Sequence, residues 1–514
     1  MAGKAIGKMR WLISVPIVVA VLAASALLIL KFREAPGTLP FQAIGDGSGG
    51  VFVAWQESQG VRVQHIDASG QPLWVKGGIP VQKIATQVNP RVYPGLTLFM
   101  LTADGTGGAI LTWQDRLTFP GPLEGPPVKL YSQRLSADGE LLWNDGVVTG
   151  MVEPISSGTG WVVPDGTGGA IFGWNDYKTY FRALHDDFLR LQKVSPDGRL
   201  LWGPEGVLVT ASSPYRPMTE QDRALGIQGT ITRSWPTYDG HQVVVSDGAG
   251  GAIAIWHEED YPNRMHRIHA RRLDANGSFA WPEPVLLRAS SNSFSDFSPL
   301  ASAADESDGT VTLVVQGGQG VGDPHPSTTL VRFDRDGHVV SQQTLPSSAY
   351  GVSDGRGGVI LWRYEQTPFV GPPSERSVSL HVQRLDRDGS ELWTDRPVIA
   401  AEKGEYLDAD AVGDGSGGAI VVWRFGQGED NAYGKIFALG LDAAGNTAWG
   451  EGGVALFSDS RLKYQGRPTA IRTASGTIVI AAVGRGAMRG DMIYAQKVGD
   501  GGRLLWSSGI RIDR

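Results

Sequence analysis

Along most of the chain the apolar positions come in short continuous runs, not in the three-and-four spacing of an amphipathic helix. They are VFVAW (51–55), AILTW (109–113), AIFGW (170–174), AIAIW (252–256), VILW (359–362) and AIVVW (419–423), each directly behind Asp-Gly-x-Gly-Gly. Runs this short, bounded by glycine, read as strands rather than helices. A second kind of segment alternates in polarity, as in YSQRL (131–135), and leads into the phrase Leu-Asp-x-x-Gly-x-x-x-Trp. That phrase ends at Trp74, Trp143, Trp202, Trp281, Trp393, Trp449 and Trp506. With an irregular apolar stretch before each Asp-Gly (41–45 in the first copy) and a Gly-Val-x-Val element after the second Trp, each phrase resolves into four strands, A to D.

The phrase recurs every 56–61 residues for the most part. Worn copies at 307–341, with both Trp positions lost, and from 474 onward bring the count to eight. Four antiparallel strands per repeat, repeated eight times, predict an all-β fold, an eight-bladed β-propeller spanning 40–514. Seven blades remain open if 307–341 is an insertion; whole repeats from end to end favour eight. No strand is visibly exchanged between the termini to close the ring.

The recurring residues read as structural. Gly in the Asp-Gly corners takes the positive φ that a tight hairpin needs, while Asp bonds back to nearby amides. A calcium loop would gather several carboxylates within a dozen residues, and each corner offers one. Trp55, Trp113, Trp174, Trp256, Trp362 and Trp423 end strand B, and the second set opens strand D. Both sets are expected to wedge blades together, each burying roughly 150–250 Å².

The second half-phrase, as in ALGLDAAGNTAW (438–449) and QKVSPDGRLLW (192–202), resembles the tryptophan-docking repeat of quinoprotein-type propellers. SADGELLW (136–143) also resembles the Asp-box hairpin of sialidase-like propellers, with Gly one place early. The resemblance covers about a dozen residues in each of seven repeats and implies fold, not activity. No quinone-site pattern is present to carry over.

The N-terminus changes the picture. Residues 11–30, WLISVPIVVAVLAASALLIL, hold no charge and as a helix would span roughly 30 Å, the thickness of a bilayer core. Lys4, Lys8 and Arg10 precede the run, which suggests a cytoplasmic N-terminus (1–10), a single-pass signal anchor (11–30), a short tether (31–39) and an extracytoplasmic propeller, periplasmic or extracellular. A cleaved signal peptide is the rival. Five of the 46 basic residues and none of the 53 acidic ones precede Glu34, so the remainder carries a net charge of −12. An acidic body argues against nucleic acid. Cysteine is absent, which excludes disulfides, Cys-ligated metals and thiol catalysis. No cofactor is predicted.

Candidate chemistry lies in the connections that vary. The A–B and C–D turns share one rim; the B–C and D–A connections share the other, where loops on a rigid scaffold carry binding sites. Loops 116–131 and 363–377 both hold Phe-x-Gly-Pro and Pro-Pro, presenting Phe119 and Phe369. Residues 175–188 suit a short helix. The insert 212–235 brings Tyr215, Arg216, Arg223, Arg233 and Trp235, groups that suit a carboxylate or a sugar. His257, Glu258 and Asp260, in HEEDYPNRMHRIH (257–269), are weak metal candidates, because His266 and His269 would point to opposite faces of strand C. P-loop, nucleophile-elbow and dinucleotide fingerprints are missing. The leading expectation is a membrane-anchored binding or scaffold module for an envelope protein or glycan. The alternatives are a propeller enzyme, either a glycan-active hydrolase or lyase or a quinoprotein-like oxidoreductase, and a structural spacer.

Overall fold

The computed structural model describes 40–57, 60–81, 99–114, 128–152, 161–180, 184–210, 242–260, 265–290, 294–300, 310–317, 327–366, 377–403, 405–426, 434–450, 452–459, 461–462, 464–485, 492–507 and 509–514. These form eight antiparallel sheets, one per repeat, each ordered as its strands follow in the chain. Blade one is typical: Phe41–Gly45, Val51–Glu57, Gly60–Ile66 and Ile79–Pro80, from the centre outward. The worn 307–341 copy is a full fifth blade: Phe294–Leu300, Val311–Gly317, Ser327–Phe333 and Val339–Leu345. The fold is therefore an all-β eight-bladed propeller. In the eighth blade the innermost strand is broken into Tyr464–Gln465 and Thr469–Thr473.

Strand B is apolar throughout because both of its faces are covered. In blade six, Ile360 and Trp362 pack with Ala409, Ala411 and Trp423 of blade seven. Val359 and Leu361, pointing the other way, pack with Val314 and Leu330 of blade five. The core is thus eight thin apolar seams between sheets. The ring closes by the same contact: Val51, Val53 and Trp55 of blade one pack on Ile478, Ile480 and Ile493 of blade eight.

The Asp-Gly corners behave as turn chemistry. Asp104 Oδ1 accepts from the amides of Thr106 (2.7 Å) and Gly108 (2.8 Å), and the corner repeats at Asp46, Asp165 and Asp414. Gly107 has φ +97°, and a methyl on Gly108 would lie 2.2 Å from the Leu135 carbonyl. Both glycines are required, one by conformation and one by space.

One local expectation is corrected. Residues 175–188, read as a short helix, extend a hairpin: Ala170–Tyr180 pairs with Leu184–Val194 in unbroken register from Ala170↔Val194 to Tyr180↔Leu184. The register begun in the buried half supplies ladder partners outward, which a helix would forfeit. Residues 1–39 lie outside the described part, and with them the expected anchor and tether. Among the described residues no helix is long and apolar enough to cross a membrane.

Candidate functional site

Two repeated devices hold one blade to the next on the rim of the A–B and C–D turns. The first is the docked indole. Trp202, expected at the start of strand D, instead lies in the C–D connection ahead of that strand (Val207–Leu208) and covers Gly277 in blade four, where a methyl would approach it to 2.8 Å. Its Nε1–H donates to the Ala275 carbonyl, 3.3 Å away. Trp74, Trp143, Trp281, Trp393 and Trp449 donate in the same way to Ala137, Pro196, Arg335, Ala443 and Asp500. The strand B tryptophans serve the seam differently: Trp55 sits under Gly78 of its own blade and packs against Ile493 and Ile512 of blade eight.

The second device is a cation on strand C. Arg134 binds Asp104 of its own turn (2.9 Å) and donates to the Pro196 carbonyl of the next blade (3.1 Å). Arg272 does the same with Asp247 and the Arg335 carbonyl. Arg384 joins Asp354 to the Gly417 carbonyl, and Lys193 joins Asp165 to Gly250. Lys497 closes the ring on Gly49 and Ala68, and His65 meets Asp46 at 2.9 Å. The acid therefore anchors a turn and neutralises a buried cation. Burial would raise the Asp46 carboxyl, but donation from His65, Ser48 and Gly50 outweighs it and leaves the group at about 2. Asp104 and Asp414 are lowered by the same balance. Burial lowers the Lys497 ammonium, with Asp46 and Asp67 working against that.

The seam between blades five and six departs from this pattern. Ser341 stands where the phrase places the docking Trp, and Gly389, the glycine such an indole would cover, faces Gln343 Oε1 instead. A cavity of about 300 Å³ opens there, lined among others by Arg332, Ser341, Gln343, Val359, Asp386 and Gly389. Arg332 keeps the cation's place: its guanidinium donates to Thr310 Oγ1 and to the Arg387 carbonyl of blade six.

The same seam carries a dense polar cluster towards the B–C rim. His381 is buried on strand C of blade six. Its Nδ1 lies 3.3 Å from Asp395 Oδ1 and 3.1 Å from Arg363 Nη2. Its Nε2 lies 3.2 Å from Ser379 Oγ and 3.0 Å from Glu365 Oε2. Arg363 holds Asp395 through two bonds of 2.7 and 3.1 Å. Serine, imidazole and carboxylate stand in hydrogen-bonded sequence, the order used for nucleophile activation. Arg363 and Glu365 contact the same two ring nitrogens, so imidazole and serine are not an isolated pair.

The metal candidates are dispersed. His257 Nε2 meets His266 Nδ1 at 3.1 Å, with the rings stacked, while Glu258 turns to the other face and meets His269 at 3.1 Å. Strand alternation separates them, and the Asp260 side chain lies outside the described residues. Asp334, Asp336 and His338 bring ligand atoms within 4.8 Å of one another. They form a C–D corner in which Asp334 Oδ1 already accepts from two amides. Tyr215, Arg216, Arg223, Arg233, Trp235, Phe119 and Phe369 all lie outside the described residues.

Sequence reading missed the strand C cations, although a signal was present: a basic residue two places before the C–D aspartate or its stand-in, as in VQHID, SQRLS, LQKVS and VQRLD. The Ser379–His381–Asp395 set had no such signal, because Asp395 reaches the pair only through sheet register.

No protein-family model and no curated protein matches the sequence. Solved structures of similar shape include an acylaminoacyl peptidase from Pyrococcus horikoshii (10% identity, TM-score 0.32, 64% of this chain and 42% of that one). Others are prolyl oligopeptidase B from Galerina marginata (11%, 0.36, 91% and 59%) and a Mycobacterium tuberculosis puromycin-hydrolyzing peptidase (12%, 0.36, 88% and 60%). The chain spans 42%, 46% and 44% of three acylaminoacyl peptidase structures that it matches. At such scores the likeness carries no argument about activity; the eight sheets themselves establish the propeller.

Proposed function

We propose that this chain is a membrane-anchored, exported propeller that acts as a binding or scaffold module for an envelope protein or glycan. The carrying observation is the latch on one rim. Indoles and strand C cations tie blade to blade there, so the B–C and D–A connections of the opposite rim spring from a rigid ring. Variable loops on a fixed frame are a recognition surface. The insert 212–235, with its arginines and aromatics, is the segment we assign to ligand contact, and residues 11–30 to the membrane. Kinship with quinoprotein-type repeats belongs to this reading as an account of the docked indoles, not of chemistry.

The test is capture from an envelope extract on the immobilised chain, with a glycan array alongside. Specific capture that disappears when 212–235 is deleted supports the reading. Capture that survives the deletion removes that insert from it, and no capture by either route refutes it.

One observation favours an enzyme of a different kind from the glycan-active or quinoprotein-like alternatives, the Ser379–His381–Asp395 sequence in blade six. It requires ester or amide hydrolysis by the purified chain that Ser379→Ala abolishes while the melting temperature holds.

A further inference from the structure

We infer that the cavity between blades five and six is a binding site for an indole-type group, a planar aromatic carrying an N–H donor. The inference concerns the turn rim and does not rest on the loop reading above. The neighbouring seams show what fits. At each, an indole lies on the glycine of the C–D turn, and six of them donate Nε1–H to the carbonyl two residues earlier. Blade six keeps the receiving half of this device. Gly389 has φ +83°, the C–D corner is held by Asp386, and the carbonyl two residues before the glycine is that of Arg387. At the seams after blades two and four, the corresponding carbonyl accepts from an arginine and an indole together, as Pro196 does from Arg134 and Trp143. The arginine half of that pair is present here as Arg332.

What blade five withholds is the indole. Its strand D runs directly from the turn as Val339–Leu345, with Ser341 paired to Arg332 at the docking position. The cavity left, about 300 Å³, lies at the small end of ordinary ligand pockets and exceeds the ~150 Å³ that suffices for benzene. A second observation points the same way. Gln343 Oε1 is buried at the cavity wall, aimed at Gly389, and has no hydrogen-bond partner. A buried acceptor left unmatched is costly, and an indole-type group that takes the place over Gly389 swings the flexible Gln343 side chain aside and offers its Oε1 the missing N–H donor. Leu330 and Val359 provide apolar contact, while Asp386, Asp388 and Arg332 add charged groups to the lining. The indole has two possible sources, a tryptophan side chain of a partner polypeptide or a free indole compound.

The probe is 5-fluoroindole, titrated against the full chain and followed by fluorine NMR line broadening. Saturable binding in the wild type, weakened at least about tenfold by Ser341→Trp, is expected. Ser341→Trp restores the repeat phrase and should raise the melting temperature as it excludes the probe. 1-Methyl-5-fluoroindole, which lacks the donor, should bind the wild type more weakly than 5-fluoroindole. Gln343→Met, nearly isosteric but a poor acceptor, should narrow that difference. Parallel titration of N-acetyl-tryptophanamide separates the sources: competition by it indicates a polypeptide tryptophan, and binding of 5-fluoroindole alone indicates a free indole. Absence of saturable binding by the wild type overturns the proposal. So does binding that folded Ser341→Trp leaves unchanged, or equal affinity for the N-methylated probe.

Discussion

Lys497 Nζ donates to the carbonyl of Gly49 at 3.0 Å, joining residues 448 positions apart across the seam where the ring closes. The same ammonium reaches the Ala68 carbonyl and Ser475 Oγ, and the side chain is almost wholly buried. Among the described residues no strand is exchanged between the first and last blades. Closure rests on this lysine, on Trp506 over Gly70, and on the apolar seam beneath them.

Replacing Lys497 with methionine keeps the volume and strands three acceptors. Of the three contacts only that to Gly49 is wholly buried, and a buried acceptor left unmatched costs about 1–3 kcal/mol, so a loss of that order is expected. Denaturant unfolding checks it, and an unchanged midpoint would show that closure is apolar alone.

Arg384 and Asp354 form a buried pair at 2.7 Å. Arg384→Met leaves Asp354 uncompensated and should cost about 3–5 kcal/mol. Adding Asp354→Asn should recover part of that loss. A double-mutant cycle reading additive losses would contradict the coupling.

Trp393 docks on Gly445, which has φ +81° and would place a methyl 2.8 Å from the indole. Trp393→Ala should cost roughly 3–5 kcal/mol, as should Trp423→Ala beneath Gly453. Gly445→Ala should destabilise as well, from both strain and contact. Melting temperatures of the three variants settle it; tolerance of Gly445→Ala would mean that blade seven retreats from its neighbour.

Acid should loosen the turn rim. The Asp46 carboxyl is depressed from 3.8 to about 2 in the folded protein, so its contribution is complete above the unfolded value and lost as pH falls through the folded one. The shift corresponds to about 2 kcal/mol, disappearing between pH 4 and pH 2. Asp46→Asn should flatten the stability–pH curve over that interval. A curve of unchanged slope would assign acid sensitivity to other carboxylates.

The fifth and sixth blades should part first. With Ser341 in place of an indole and a cavity beside it, the edge facing blade six has the least apolar cover on the turn rim. Hydrogen exchange should therefore be fastest, among innermost and outermost strands, in Val339–Leu345 and Tyr350–Ser353. Uniform protection round the ring would oppose this, and Ser341→Trp should slow exchange locally.

Much of this architecture is legible without coordinates because it is written eight times. Asp104, Gly107 and Gly108 recur as a unit, and a backbone that must turn leaves few residue choices. Trp143 and Trp202 recur because the slot beneath them does. His381 and Asp395 could not be read this way. They occur once, come from different strands, and meet only because a sheet sets them side by side.

The sequence by itself determined the blade: four strands, their corners, and the indole that marks seven of the eight repeats, since turn chemistry and hydrophobic patterning are local. Tertiary structure decided what lies between blades. Which carbonyl Arg134 reaches, whether Lys497 meets Gly49, and what a serine at position 341 leaves beside Gly389 depend on one sheet's distance and tilt against the next. Those quantities arise from packing eight sheets into a closed ring, and no single repeat encodes them.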